Sequence, residues 1–114
     1  MGKIQKLRNR SFDRQSGRCY YCAQPMWRDD PGAFAREHGQ ADRAVRCLRV
    51  TLEHLTARSA GGADSEANTV AACIYCNTHR HRARPPLHPT AYREEVRARV
   101  RDGKWHGLRL KAVD

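Results

Sequence analysis

Two Cys-x-x-Cys pairs, Cys19/Cys22 and Cys73/Cys76, stand about fifty residues apart in a chain of only 114 residues. A chain this short builds a modest hydrophobic core, so some further staple is expected. Zinc takes four soft or borderline ligands in a tetrahedron, and one pair from a turn plus one from a helix start supply them without strain. Such an ion would tie an N-terminal knuckle to a distant part of the chain and add the stability a small core lacks. A redox dithiol is the competing reading, but nothing around either pair has a thioredoxin-like pattern. Cys47 is left over and reads as a small buried apolar residue beside a strand.

Charge points to the partner. Lys and Arg outnumber Asp and Glu by 22 to 12, a formal charge of +10, which favours a polyanion and makes nucleic acid the leading candidate. Arginine dominates, and its planar fork of donors suits phosphate oxygens, although GC-rich coding sequence produces the same bias. The start, "MGKIQKLRNRSFD", is basic with no apolar stretch behind it. Neither a signal peptide nor a membrane span is expected, and a reducing cytoplasm fits the free cysteines best.

One domain over 1–114 is expected, with a core of about 18–84. Ile4, Leu7 and Phe12 recur at helical intervals, giving a basic helix over about 3–16 that Gly17 stops. "CYYCAQPMW" reads as a knuckle. Asp30 and Pro31 suit the N-cap and first residue of a second short helix ending near Gly39. From Leu48 the pattern becomes period two, with Leu48, Val50 and Leu52 on one face, which predicts a strand running into Glu53 and His54. A polar, Gly-rich loop follows, and a helix is expected to begin within 69–73 and run to about Arg82. Pro85 and Pro86 close that segment. Thr90 as N-cap with Tyr92, Val96 and Val100 at i, i+4, i+8 predicts an amphipathic helix over about 90–102, packed with Trp105 against the knuckle.

With the cysteines assigned, Glu53, His54, Asn68, Asn77, His79 and His81 are unaccounted for. Asn77 and His81 are i, i+4 and share one helix face. Glu53 and His54 are neighbours on a strand and face opposite ways. A divalent ion held by Glu53 and Asn77 can neutralise a scissile phosphate while an imidazole outside its coordination sphere takes a proton from water.

"CYYC", "LEHLTARSAGG", the following asparagine and "ACIYCNTHRH" together resemble the HNH endonucleases, in the branch where two Cys-x-x-Cys pairs flank the core. The resemblance covers residues 18–82 and extends to the basic helix before the first pair. It implies an α+β fold: a small ββα-metal (His-Me finger) HNH core with flanking helices and a structural zinc site of four cysteines. It further implies that His54 is the general base and that Glu53 and Asn77 bind the catalytic metal. Asn68 would hold the loop and orient His54, and His81 would stand where some members place another metal histidine. The expected activity is hydrolysis of DNA phosphodiester bonds, leaving 5′-phosphate and 3′-hydroxyl ends. Mg²⁺ or Mn²⁺ suits one carboxylate and one amide oxygen; a ligand role for His81 would open the site to Zn²⁺, Ni²⁺ or Co²⁺. A bacterial, phage or mobile-element origin is implied.

Blander readings accompany these. His54 reads alone as a core histidine at a strand end, Glu53 as a solvated strand residue, Asn68 as a helix N-cap, and His79 as a surface residue. His81 fits a phosphate contact or a solvated position equally well. Arg58, Arg80, Arg82 and Arg84 are candidate nucleic-acid contacts, although basic runs are often merely solvated. Residues 26–46 exceed the family's usual connection and suit a cap or substrate contact, and Ala57 stands where many relatives have proline. The alternative function is a zinc-stapled nucleic-acid-binding or assembly module with little cleavage. A protein partner supplying DNA specificity fits either function.

Overall fold

The centre of the fold is a two-stranded antiparallel ribbon, β1 (Val50–His54) and β2 (Thr69–Cys73), followed without a break by a short helix, Ile74–Arg80. This is a computed structural model, and it describes residues 1–110. Numbered in chain order, the helices are α1 (Lys3–Arg14), α2 (Pro31–Glu37), α3 (Ile74–Arg80) and α4 (Pro89–Arg101), with a 3-10 segment over Asp42–Leu48. The ribbon pairs Val50 with Cys73 at one end and His54 with Thr69 at the other. The result is a small mixed architecture of one two-stranded sheet with helices around it.

Strands this short are not stable as an isolated ribbon, so both edges need partners. Gln15, just past α1, acts as an extra rung on β2: its amide donates to the Ala71 carbonyl at 2.9 Å and accepts from the Ala71 N–H at 2.9 Å. The same carbonyl accepts from the Tyr20 N–H. On β1, the Leu52 carbonyl accepts from Asn77 and the His54 carbonyl from Arg80. Trp27 pairs in parallel with Arg49 and accepts from the Val50 N–H.

Two expectations are corrected. Residues 69–73 form β2 and not the start of the helix: pairing with β1 outweighs the helical preference of Ala71 and Ala72, and Thr69 and Val70 already favour extended backbone. Helix α3 therefore starts at Ile74, capped by the Cys73 sulfur, which accepts from the Cys76 N–H at 3.4 Å. It stops at Arg80 and not Arg82. The period-two face also fails. Leu48 ends the 3-10 segment, and within β1 the buried residues are Val50 and Glu53. Both faces of β1 are covered, one by α1 and one by α3, so burial no longer alternates.

The other helices lie where the sequence places them, with α4 beginning from an earlier cap. Asp30 caps α2, accepting from the Ala33 N–H at 2.9 Å, with Pro31 at the first position. Helix α4 begins at Pro89 with His88 and not Thr90 as its cap. Tyr92 and Val96 are buried, and the Tyr92 hydroxyl donates to the Cys76 carbonyl at 2.6 Å. Tyr21 packs edge-on against Tyr92, ring centroids 4.8 Å apart. Cys47 stands apart, half-buried, its thiol donating to the Ala44 carbonyl. Among the described residues no helix is long and apolar enough to cross a membrane.

Cys19, Cys22, Cys73 and Cys76 converge: their sulfurs all lie within 4.8 Å of one another, every one is nearly inaccessible to solvent, and none is disulfide-bonded. A tetrahedral ion with metal–sulfur bonds of about 2.3 Å places sulfurs about 3.8 Å apart. The Cys22–Cys73 separation of 3.9 Å matches that. Hydrogen bonding to Cys19 and the other sulfurs holds the Cys22 thiol low. Cys73 is pushed up by the same contacts, and Cys76 chiefly by burial. Four sulfurs packed this closely cannot all ionise until a cation joins them. The protein purified without added metal is expected to carry about one tightly held ion per chain by elemental analysis. Cys76→Ser or strong chelation is expected to lower the melting temperature by on the order of 10 °C or abolish the transition; an unchanged transition would refute a structural metal.

Candidate active site

Glu53 sits on β1 with 1 % of its surface exposed, so its carboxylate needs matched partners. One oxygen, Oε2, accepts from the Tyr21 hydroxyl at 2.8 Å and from Arg80 Nη1 at 3.1 Å. The other, Oε1, meets His81 Nε2 at 2.8 Å. Burial first, and Glu53 second, push the Tyr21 phenol up, so its hydroxyl stays a donor. Arg80 is itself 4 % exposed, and all five of its N–H groups are used: Nε and Nη2 on Leu87, Nη1 on Glu53 and His54, and Nη2 also on Leu55. A buried charge with every donor satisfied is the arrangement under which an internal ion pair is tolerated.

Asn77 projects from α3 and donates through Nδ2 to Thr51 Oγ1 at 3.0 Å and to the Leu52 carbonyl at 3.1 Å. Those two acceptors orient the amide, and its Oδ1 takes no donor among the described residues. His81 is the C-cap of α3, one turn beyond Asn77. Glu53, His54, Asn77 and His81 line one open cleft, whose far wall includes Ile4 of α1 and Arg58. The cysteines are the one cluster of three or more His, Cys, Asp or Glu ligand atoms among the described residues. At the cleft the Glu53–His81 pair has the Asn77 amide oxygen beside it.

His54 closes β1 and enters the loop between the strands. Its Nε2 lies 2.7 Å from Asp64 Oδ1, and the same oxygen accepts from Arg58 Nε at 3.0 Å. The His54 contact, and then Arg58, hold the Asp64 carboxyl below the usual range. An ionised carboxylate only accepts, so Nε2 is the donor to Asp64; in the neutral ring Nδ1 is then the nitrogen with the lone pair. Asp64 is the residue that motif reading passed over. Its one sequence signal is position, two residues past the Gly-Gly pair.

Asn68 lies before β2 and caps no helix. Its Oδ1 accepts from the Thr56 N–H at 2.9 Å, and its Nδ2 donates to the Thr56 and Ala63 carbonyls at 3.0 and 2.9 Å. It clamps the loop and makes no hydrogen bond to His54; the direct partner of that ring is Asp64. Gly61 takes φ +90°, and a Cβ on Gly62 would sit 1.8 Å from the Thr56 carbonyl oxygen. The glycine pair thus lets the loop fold flat enough for Asn68 to bridge it.

The four candidate arginines separate. Arg58 is exposed and bonded to Asp64, Arg84 is exposed beside an adjoining hollow with His81, and Arg82 is exposed and contacts His79. Arg80 faces inward. His79 is half-buried, stacked on Tyr75 with centroids 4.0 Å apart. Arg80→Met is expected to cost about 3–5 kcal/mol in urea denaturation because Glu53 loses its buried counter-charge. Arg84→Ala should change stability by less than about 0.5 kcal/mol. Gly62→Ala should cost about 1–3 kcal/mol in the same measurement, since backbone must move to admit the methyl group; a neutral effect would contradict the flat loop.

Residues 39–83, about two-fifths of the chain, match the family model described as HNH endonuclease. Searches of curated proteins and of solved structures each return no match. The matched span contains the ribbon, its loop and α3, with Glu53, His54, Asn68, Asn77 and His81 all inside it. Residues 39–83 are thus similar to an HNH endonuclease domain, and the four converging cysteines stand as two Cys-x-x-Cys pairs that would staple it.

Proposed function

We propose that the protein is a metal-dependent DNA endonuclease in which His54 is the general base and a divalent ion binds at Glu53, Asn77 and His81. The observation that carries this reading is the division of each side chain's polar atoms. Glu53 Oε2 and Asn77 Nδ2 are consumed by the scaffold, while Glu53 Oε1, Asn77 Oδ1 and the His81 ring belong to the cleft. These three donors fit a cation: two hard oxygens suit Mg²⁺ or Mn²⁺, and the imidazole extends the range to Zn²⁺, Ni²⁺ or Co²⁺. When bound, such an ion neutralises charge on the scissile phosphate and on the leaving oxygen.

The chain's own groups supply the proton chemistry. Asp64 fixes the His54 ring through Nε2–H, and Nδ1 takes a proton from water as its oxygen bonds to phosphorus. The bond from phosphorus to the 3′ oxygen breaks, and that oxygen is protonated from solvent. Arg58, Arg82 and Arg84 contact backbone phosphates, in keeping with the net charge of +10. Arg80 takes no part in DNA contact, because its donors are spent inside the protein. The four sulfurs hold Zn²⁺, the ion for which an all-thiolate tetrahedron is the usual site.

Incubating plasmid DNA with the protein and Mg²⁺ or Mn²⁺ tests the proposal directly. The wild type should nick or linearise the plasmid, and His54→Ala should lower the rate by about 10²–10⁴-fold while retaining DNA binding. Equal cleavage by wild type and His54→Ala would remove His54 from the mechanism. Metal-independent binding with no cleavage under any divalent ion would favour a binding module.

A further inference from the structure

The four sulfurs are not equivalently hydrogen-bonded. Cys19 Sγ accepts from the Cys73 N–H at 3.3 Å, Cys73 Sγ from the Cys76 N–H at 3.4 Å, and Cys76 Sγ from the Trp105 indole N–H at 3.3 Å. Cys22 Sγ has no N–H donor among the described residues; its recorded contact is with the Cys73 sulfur. One side chain has the opposite problem. His106 Nδ1 accepts from the Leu108 N–H at 3.1 Å, which puts the proton of the neutral ring on Nε2. That Nε2 is the one buried side-chain nitrogen or oxygen without a partner among the described residues. His106 also borders Cys22: it is one of the side chains beside that sulfur, and its chain neighbour Trp105 holds the Cys76 sulfur within 4.8 Å of it.

An orphaned donor beside the one sulfur that lacks a donor is a matched pair. An unpaired buried N–H costs about 1–3 kcal/mol, whereas a metal-bound thiolate is a strong acceptor for it. We propose that His106 Nε2–H donates to the metal-bound Cys22 sulfur, so that every sulfur of the cluster receives one N–H bond and residues 104–110 are latched onto the metal site. Four thiolates around a divalent ion leave a net charge of 2−, and four N–H dipoles spread it in a dry environment. The latch has a second anchor, since Tyr75 donates to the Trp105 carbonyl at 3.2 Å and packs edge-on against both the Trp105 and His106 rings. His106 is thus a positioning residue for the metal site, and its role holds whether or not the protein cleaves DNA.

The test compares wild type, His106→Phe and His106→Gln, full-length and loaded with Zn²⁺ or Co²⁺. Phenylalanine keeps a ring without a donor, and glutamine restores an N–H. Competition with a chromogenic chelator should show Zn²⁺ held about 10–100-fold more weakly by His106→Phe, with glutamine recovering most of the loss. The sulfur-to-Co²⁺ charge-transfer band should shift in His106→Phe and return towards wild type in His106→Gln. If His106→Phe does not fold, recovery of fold and Zn²⁺ binding by His106→Gln supports the assignment. Wild-type Zn²⁺ affinity and an unchanged Co²⁺ spectrum in His106→Phe would overturn it. So would a His106→Gln protein as impaired as His106→Phe, because the ring's shape and not its N–H would then be what matters.

Discussion

Cys73 is where three requirements meet, and the rest of the molecule is arranged around it. It is the last residue of β2, its sulfur caps α3, and the same sulfur belongs to the four-cysteine cluster. A strand that passes straight into a helix has a free choice of angle at the junction; tying the junction residue to a knuckle more than fifty positions earlier removes it. The direction of α3 follows, and with it the placement of Asn77, Arg80 and His81. The cluster is therefore remote from the cleft in its chemistry yet sets the cleft's geometry.

The cleft shows how a buried carboxylate can serve both scaffold and site. Arg80 and Tyr21 hold one oxygen of Glu53 and compensate its charge, which leaves the other oxygen directed at His81. Arg80 is wholly internal, and its remaining donors close the free edge of β1 and the turn at Leu87. The 3.1 Å contacts of Arg80 with His54, Leu55 and Glu53 also mean that the proposed base and the proposed metal ligand share one brace.

Much of this was legible in the chain. The cysteine spacing announced the cluster, the Glu-His pair and Asn77 come together at one cleft while Asn68 clamps the loop, and the Asp-Pro and Gly punctuation located α1 and α2. What failed did so for definable reasons. Residues 69–73 join two β-formers, Thr69 and Val70, to the helix-favouring Ala71 and Ala72, and pairing with β1 decides for the strand. The alternation from Leu48 assumed one solvated face, but α1 and α3 cover both, which is why Glu53 is buried and not solvated. Arg80 is indistinguishable in sequence from Arg82 and Arg84; only the helix phase relative to Glu53 separates a brace from a surface charge. Asp64 had no periodicity or spacing rule to mark it, since its contact with His54 depends on how the Gly61-Gly62 turn folds the loop.

The closure of the ribbon's edges has a consequence for assembly. Gln15 and Tyr20 occupy the outer side of β2, and Trp27, Asn77 and Arg80 occupy that of β1. Among the described residues a neighbouring polypeptide thus finds no row of vacant amides and carbonyls along the ribbon on which to lay down a third strand. Any protein that joins this one must instead read its side chains, among which Lys and Arg outnumber Asp and Glu by 22 to 12. A net charge of +10 favours acidic companions of either kind, polynucleotide or polypeptide.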